Sequence, residues 1–194
     1  MQIISSLDKL PTGRCRVVTI GSFDGVHLGH QQVLRQLRDM AQQRNMESVV
    51  VTFDPHPRLL LHPSLDFFMI NSFEQKICLL EKEKVDYLLI LPFTLQFAEL
   101  QYDQFIRNII IEQIGAQAII MGTNHSFGKD REGNYQKVKD LCAEYGVDVI
   151  QIKECLWNDI AVRSTHIRRA ILKNDYKKTE ELLGHALFLK QEKI

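Results

Sequence analysis

Five short apolar, largely β-branched runs recur along the chain: residues 17–21 (VVTIG), 49–53 (VVVTF), 87–91 (YLLIL), 118–121 (AIIM) and 147–152 (VDVIQI). They are continuous or nearly so rather than alternating, as in strands covered on both faces of a parallel sheet. Between them the apolar spacing changes to a helical one. Val33, Leu34, Leu37, Met40 and Ala41 share one face, and Phe105, Ile106, Ile109, Ile110 and Ile114 share another, with Gly115 as a stop. Tyr135, Val138, Leu141, Cys142 and Tyr145 form a third face that ends at Gly146, and a weaker pattern covers residues 73–84. The alternation predicts an α/β fold: a doubly wound parallel sheet of about five strands with helices on both faces and right-handed crossovers. Sheets of this kind bind ligands beyond the carboxyl ends of their strands, where the strand order reverses. Two connections there are longer than packing needs. Residues 54–68 hold three of the five prolines, and residues 122–134 hold three of the ten glycines.

Composition narrows the classes. At 45% hydrophobic and 25% charged, the 194 residues fit a soluble globular domain and neither a disordered chain nor a fibre. Lys plus Arg is 24 and Asp plus Glu is 24, so the basic excess of a general nucleic-acid binder is missing. The apolar runs are too short to span a bilayer. The start, MQIISSLDKL, lacks the basic region and apolar core of a secretory signal. Cysteines 15, 78, 142 and 155 form no CxxC and no metal-ligand spacing, and are expected to be reduced thiols of a cytoplasmic protein.

The chemistry follows the first of these strands, in GSFDGVHLGHQQVLRQL. Gly21, Gly25 and Gly29 permit tight turning and close approach of a ligand to the backbone. His27 and His30, three apart where a helix begins, face the same way beside unpaired N–H groups and a positive dipole end. Such a set suits a polyphosphate and charge that develops on it. The spacing is neither GxGxxG nor a P-loop; from Gly122 to Lys129 there is one residue too many, and Asp130 stands where Ser or Thr belongs. HxGH also lacks a third zinc ligand. Two ordinary surface histidines remain the plain alternative. Farther along, Arg163, Arg168, Arg169, Lys173, Lys177 and Lys178 face one acid, Asp175, with Ser164 and Thr165 at a helix start. That is a second place for phosphate, or a solvated helix face.

HxGH after a strand resembles the nucleotidylyltransferase superfamily, a Rossmann-like fold. The longer GSFDGVHLGH is similar to the FMN adenylyltransferase (FAD synthetase) domain of bacterial bifunctional riboflavin kinase/FAD synthetases. Three further segments agree in order. FDPHPR resembles that family's flavin-contacting FxPHP, MGTNHSFGKDREGN its GxxFxFGxxRxG loop, and RSTHIRRAIL its SSTxIR segment. Ser126 stands where Arg is common, and Arg163 replaces the first Ser of SST. The resemblance spans roughly residues 14–184.

It implies transfer of AMP from ATP to FMN, giving FAD and pyrophosphate, with Mg²⁺ held mainly by the ATP phosphates and no protein metal ligands assigned. His27, His30 and Arg168 would be catalytic. Gly21, Phe23, Asp24, Gly25, Gly29, Ser164 and Thr165 would bind ATP together with Arg168. Phe53, Pro55, His56, Pro57, Asn124, Phe127 and Arg131 would bind FMN. A different phosphate acceptor, or a non-catalytic flavin- or nucleotide-binding module, are the alternatives. The other histidines (62, 125, 166 and 185) are expected to be surface or core residues. Residues 1–184 are expected to form the domain, and 185–194 a frayed tail or the start of a riboflavin kinase barrel. The 194 residues should therefore make FAD from FMN but no FMN from riboflavin; flavin phosphate appearing from riboflavin, ATP and Mg²⁺ would contradict this division.

Overall fold

In a computed structural model of the chain, residues 1–61, 67–123 and 125–188 are described. Six strands form one parallel sheet: β1 (Gln2–Ile4), β2 (Arg16–Ile20), β3 (Glu47–Asp54), β4 (Tyr87–Pro92), β5 (Ala116–Gly122) and β6 (Asp148–Ile152). Their order across the sheet is β1-β4-β3-β2-β5-β6. The chain winds outward from β2 in one direction to β3 and β4, then returns to β5 and β6 on the other side. The order reverses at β2, so the cleft for a ligand opens over its carboxyl end. The expected five strands become six because β1 is only three residues long, with Ile4 alone buried, too short for a periodic signal. A two-stranded ribbon, β7 (Leu156–Trp157) and β8 (Ile160–Ala161), lies outside the sheet.

Successive strand residues point to opposite faces, and each face has its own core. Val17, Val50, Leu88, Ala118 and Ile120 pack with Leu34 and Leu37 of α1 (Leu28–Gln43). Three short helices follow α1 in various loops: α2 (Pro57–Leu61), α4 (Leu95–Ala98) and α5 (Tyr102–Gln104). Leu79 and Leu80 of α3 (Phe73–Lys82) complete the α1 side. Val18, Val49, Ile119 and Met121 face the other way, onto the helix Phe105–Gln113 and α6 (Tyr135–Ala143). The helix Phe105–Gln113 departs from the expected winding: it is a π-helix. Ile106, Ile110 and Ile114 are buried at a spacing of four, and Ile109 is only partly so. Nine residues of π-helix is an unusual length. Tyr145, placed on a buried face by its spacing, lies beyond the end of α6 and is exposed.

At the amino edge of the sheet, two polar pairs join neighbouring strands and loops. Asp86 accepts from the Ser48 amide and hydroxyl at 2.8 and 2.7 Å. Buried Arg16 donates to the Ile114 carbonyl and meets Glu47 at 3.1 Å. Arg16 Nε is enclosed without a partner among the described residues, and so, toward the carboxyl edge, are atoms of His30, Asn71 and His125. A third cluster joins α7 (Ser164–Leu172) and α8 (Tyr176–Leu183) to that edge through Ile70, Val162, Ile167, Leu182 and Leu183. Of the residues that follow α8, the Leu187 amide donates to Glu180 Oε1 at 3.1 Å and Leu187 packs on this cluster. No helix among the described residues is long and apolar enough to cross a membrane.

Candidate active site

The turn from β2 into α1 is strained. Phe23 and Val26 adopt left-handed φ of 50° and 37° without being glycine, and Gly25 has φ 86°. Such backbone persists only where its surroundings fix it. Asp24, 2% exposed, does much of the fixing. Its Oδ1 accepts from the Ile70 amide at 3.0 Å, its Oδ2 pairs with Arg168 of α7, and its carbonyl accepts from the Ser164 hydroxyl at 3.0 Å. Arg168 also donates to the Phe68 carbonyl at 2.8 Å and lies 4.4 Å from the centre of the Phe67 ring. Burial pushes the Asp24 carboxyl up against the opposing pull of Arg168, and burial also lowers the guanidinium.

His27 caps α1. The His30 amide donates to His27 Nδ1 at 3.3 Å, so Nδ1 is the acceptor and Nε2 is left to carry a proton. The two imidazoles stack with centroids 3.7 Å apart, and Phe23 backs His30 at 5.1 Å. Gly29 is required by this stacking: a Cβ there would meet the His27 ring at 3.2 Å and the Val162 carbonyl at 3.3 Å. Desolvation brings the His27 pKa down to about 3 and puts that of His30 well below the usual imidazole value. Both are neutral at pH 7. Nδ1 of His30 is enclosed and has no partner.

Sequence reasoning left His125 aside, yet it joins this group. Its side chain abuts Gly122, where a Cβ would meet Nε2 at 3.1 Å, and its charged form would lower both His27 and His30. Burial lowers its own pKa to about 4, and its Nδ1 is also enclosed without a partner. The signal was present: position 125 holds Phe in the pattern GxxFxFGxxRxG. His185 was also left aside, and its Nε2 lies 2.9 Å from the Gly25 carbonyl.

A cavity of about 680 Å³ opens beside the turn, a size that suits a drug-sized ligand. Phe53, Pro55 and His56 line one wall; Phe68, Ile70 and Phe73 line others, with Leu187 and Phe188 of the C-terminal segment. His56 Nδ1 accepts from the Arg58 amide at 3.0 Å, and burial lowers its pKa to about 4. Pro57 opens α2, a position that needs no N–H. The expected flavin-binding set is thereby divided. Phe127 is buried in the core 6.1 Å from Phe105, and Arg131 is exposed, donating to Ser126 Oγ at 2.8 Å; neither lines the cavity. Asn124 lies outside the described residues.

The basic run is divided too. Arg163 pairs with Glu154 at 2.5 Å, and Lys178 lies 5.9 Å from the centre of the Trp157 ring. Of the six cations, Arg168 is the one buried in the site. Thr165 stays exposed in the first turn of α7, whose start has no side-chain cap.

Known proteins are similar to this chain in sequence and in fold. The chain is 34% identical over 168 residues to a bifunctional riboflavin kinase/FMN adenylyltransferase of Buchnera aphidicola from Schizaphis graminum, covering 86% of this chain and 54% of that protein. The protein of that description from Escherichia coli K12 is 30% identical over 182 residues, with coverages of 94% and 58%. The chain thus spans a little over half the length of these relatives. Among solved structures, a Streptococcus pneumoniae protein described as a macrolide-efflux protein superposes with a TM-score of 0.83 at 30% identity, over 96% of this chain and 60% of that one. Pantothenate synthetase from Thermus thermophilus shares the fold at a TM-score of 0.53 and 16% identity, over 94% and 71%. The FAD synthetase family model matches residues 11–166, a span that runs from the strand before the paired histidines to the start of α7, and the chain belongs to that family.

Proposed function

We propose that the chain transfers AMP from ATP to FMN, forming FAD and releasing pyrophosphate. The observation that carries this reading is a juxtaposition: the paired histidines stand where the strand order reverses, next to an apolar cavity walled by Phe53, Pro55 and His56. In the reaction a phosphate oxygen of FMN attacks the α-phosphorus of ATP. One P–O bond forms, the bond to the β-phosphate oxygen breaks, and the electron pair leaves with pyrophosphate. The protein's work is positioning and stabilisation of charge. His27 offers its Nε2 proton to phosphate oxygen, and the first-turn amides of α1 and α7 add donors at helix ends. Arg168 contributes charge and holds Asp24, and so the turn, in place. Mg²⁺ enters with the nucleotide. Its coordination would fall mainly to the ATP phosphates and water. The cytoplasm, where ATP is abundant and the free cysteines stay reduced, is the compartment that suits this activity.

Incubation with FMN, ATP and Mg²⁺, followed by chromatography, should yield FAD and pyrophosphate. Nicotinamide mononucleotide and phosphopantetheine should not be adenylylated. No FAD, or equal rates with either of those acceptors, would overturn the reading. His30→Ala should fold and lose on the order of 10² to 10³ in kcat, as for removal of one transition-state donor; unchanged turnover would remove His30 from the chemistry.

The neutral imidazoles also make stability depend on pH. His27, His56 and His125 have folded-state pKa values of about 3, 4 and 4, against 6.5 for the unfolded chain. Between those values the unfolded chain binds more protons, so their contribution is complete above pH 6.5 and is lost as pH falls toward 4. Thermal melts at about pH 7 and about pH 5, either side of the unfolded-chain imidazole value, should show a lower Tm in acid, and His125→Phe should flatten that fall. An unflattened fall would mean that His125 is not held neutral.

A further inference from the structure

The cavity also carries polar groups that the family motifs leave unexplained. Asn71 is 2% exposed, and among the described residues neither the oxygen nor the nitrogen of its side chain has a partner. A buried amide left this way is costly, and native structures contain few of them. Lys76, in the first half of α3, is equally buried. Its ammonium makes only long contacts, at 3.3 Å to Thr52 Oγ1 and 3.4 Å to the Ser22 carbonyl, and lies 4.9 Å from the centre of the Phe73 ring. No carboxylate among the described residues comes within ion-pair distance of it. Buried ammonium groups are normally matched by an anion. Among the described residues none forms an ion pair with this one.

Both residues line the 680 Å³ cavity, around the start of α3, whose dipole favours negative charge. Lys76 is near enough to His30 and to His56 for its charge to lower both imidazoles. Asp54 and Asp24 also face it; Asp24 is already matched by Arg168, and Asp54, which is exposed and lines the cavity, is not within ion-pair distance of it. The ammonium therefore stands between the histidine pair and the flavin-side loop, where the two substrates have to meet. Both substrates are anionic there. The attacking oxygen must come to about 3–3.5 Å from the α-phosphorus, and in a water-poor site the repulsion between the two phosphates is only weakly screened.

We propose that Lys76 and the Asn71 amide form the subsite that takes the phosphate of the acceptor mononucleotide, the group that attacks ATP. The proposal rests on the FMN reading above. Lys76 offers N–H donors and a positive charge to the phosphate oxygens, and Asn71 Nδ2 adds a further donor. The ring system then occupies the apolar part of the cavity, between Pro55, His56, Phe68 and Phe73.

Riboflavin separates the two parts, since it carries the ring system without the phosphate. Calorimetric titrations with FMN and with riboflavin would be run side by side on the wild type, Lys76→Met and Asn71→Ala. Lys76→Met should weaken FMN binding by about tenfold or more, the scale of a lost charge-assisted bond. It should leave riboflavin affinity within about twofold, raise KM for FMN and leave KM for ATP near its original value. Asn71→Ala should show the same selectivity more weakly, and it keeps the test open if the buried lysine proves necessary for folding. Equal losses for FMN and riboflavin, or no loss for FMN, would overturn the subsite. A wild-type protein that binds FMN and makes FAD while Lys76→Met behaves normally would sink this assignment alone; a wild type that makes no FAD would sink the acceptor reading beneath it.

Discussion

The carboxylate of Asp24 holds together three pieces of chain that the sheet by itself leaves separate. One is its own turn after β2, one is the stretch at Phe68 and Ile70 ahead of α3, and one is α7, about 140 residues away in sequence. Burying a carboxylate and a guanidinium is costly, and the pair alone is weak grounds for stability. What it secures is geometry. With Arg168 against Oδ2 and the Ile70 amide on Oδ1, the left-handed Phe23 and Val26 are kept in place, and the stacked histidines are presented at a fixed point over β2.

The properties of the site follow from that packing. Drawing α7 and the 67–71 segment over the carboxyl edge removes water from His27, His30 and His125, which lowers their pKa values and leaves neutral N–H donors. The same closure walls the cavity and encloses Lys76 and Asn71 beside it. Positive charge in the site is therefore carried by Arg168 and Lys76, one matched by Asp24 and one without an ion pair among the described residues. A dry site with fixed dipoles and one uncommitted cation is suited to bringing two phosphates together.

Much of this was legible in the chain. Continuous apolar runs such as VVTIG and YLLIL marked buried parallel strands, and the glycines with His27 and His30 marked the turn that matters. What escaped was set by long-range packing. β1 is too short to show periodicity, and Phe105–Gln113 is wound with a period that a helical-face reading does not test. The pairing of Arg168 with Asp24 was not legible, because local charge marked residues 163–178 as a place for phosphate or a solvated helix face, whereas the partner lies 144 positions earlier, in the turn after β2. Phe127, which the resemblance assigns to FMN, packs in a core cluster where the loop carrying it folds back through a bridge to Gly133. Lys76 and Asn71 sat in a helix start that looked ordinary until tertiary packing buried them.

The central claim, that the Asp24–Arg168 pair assembles the site, is tested most directly by a double-mutant cycle on turnover. Asp24→Asn, Arg168→Met and the double variant would be compared by kcat/KM for FAD formation, each shown to be folded. If the pair acts as one clamp, each single change already removes most of what the double change removes, and the coupling is large. Losses that simply add, or Asp24→Asn with turnover close to the original, would contradict it.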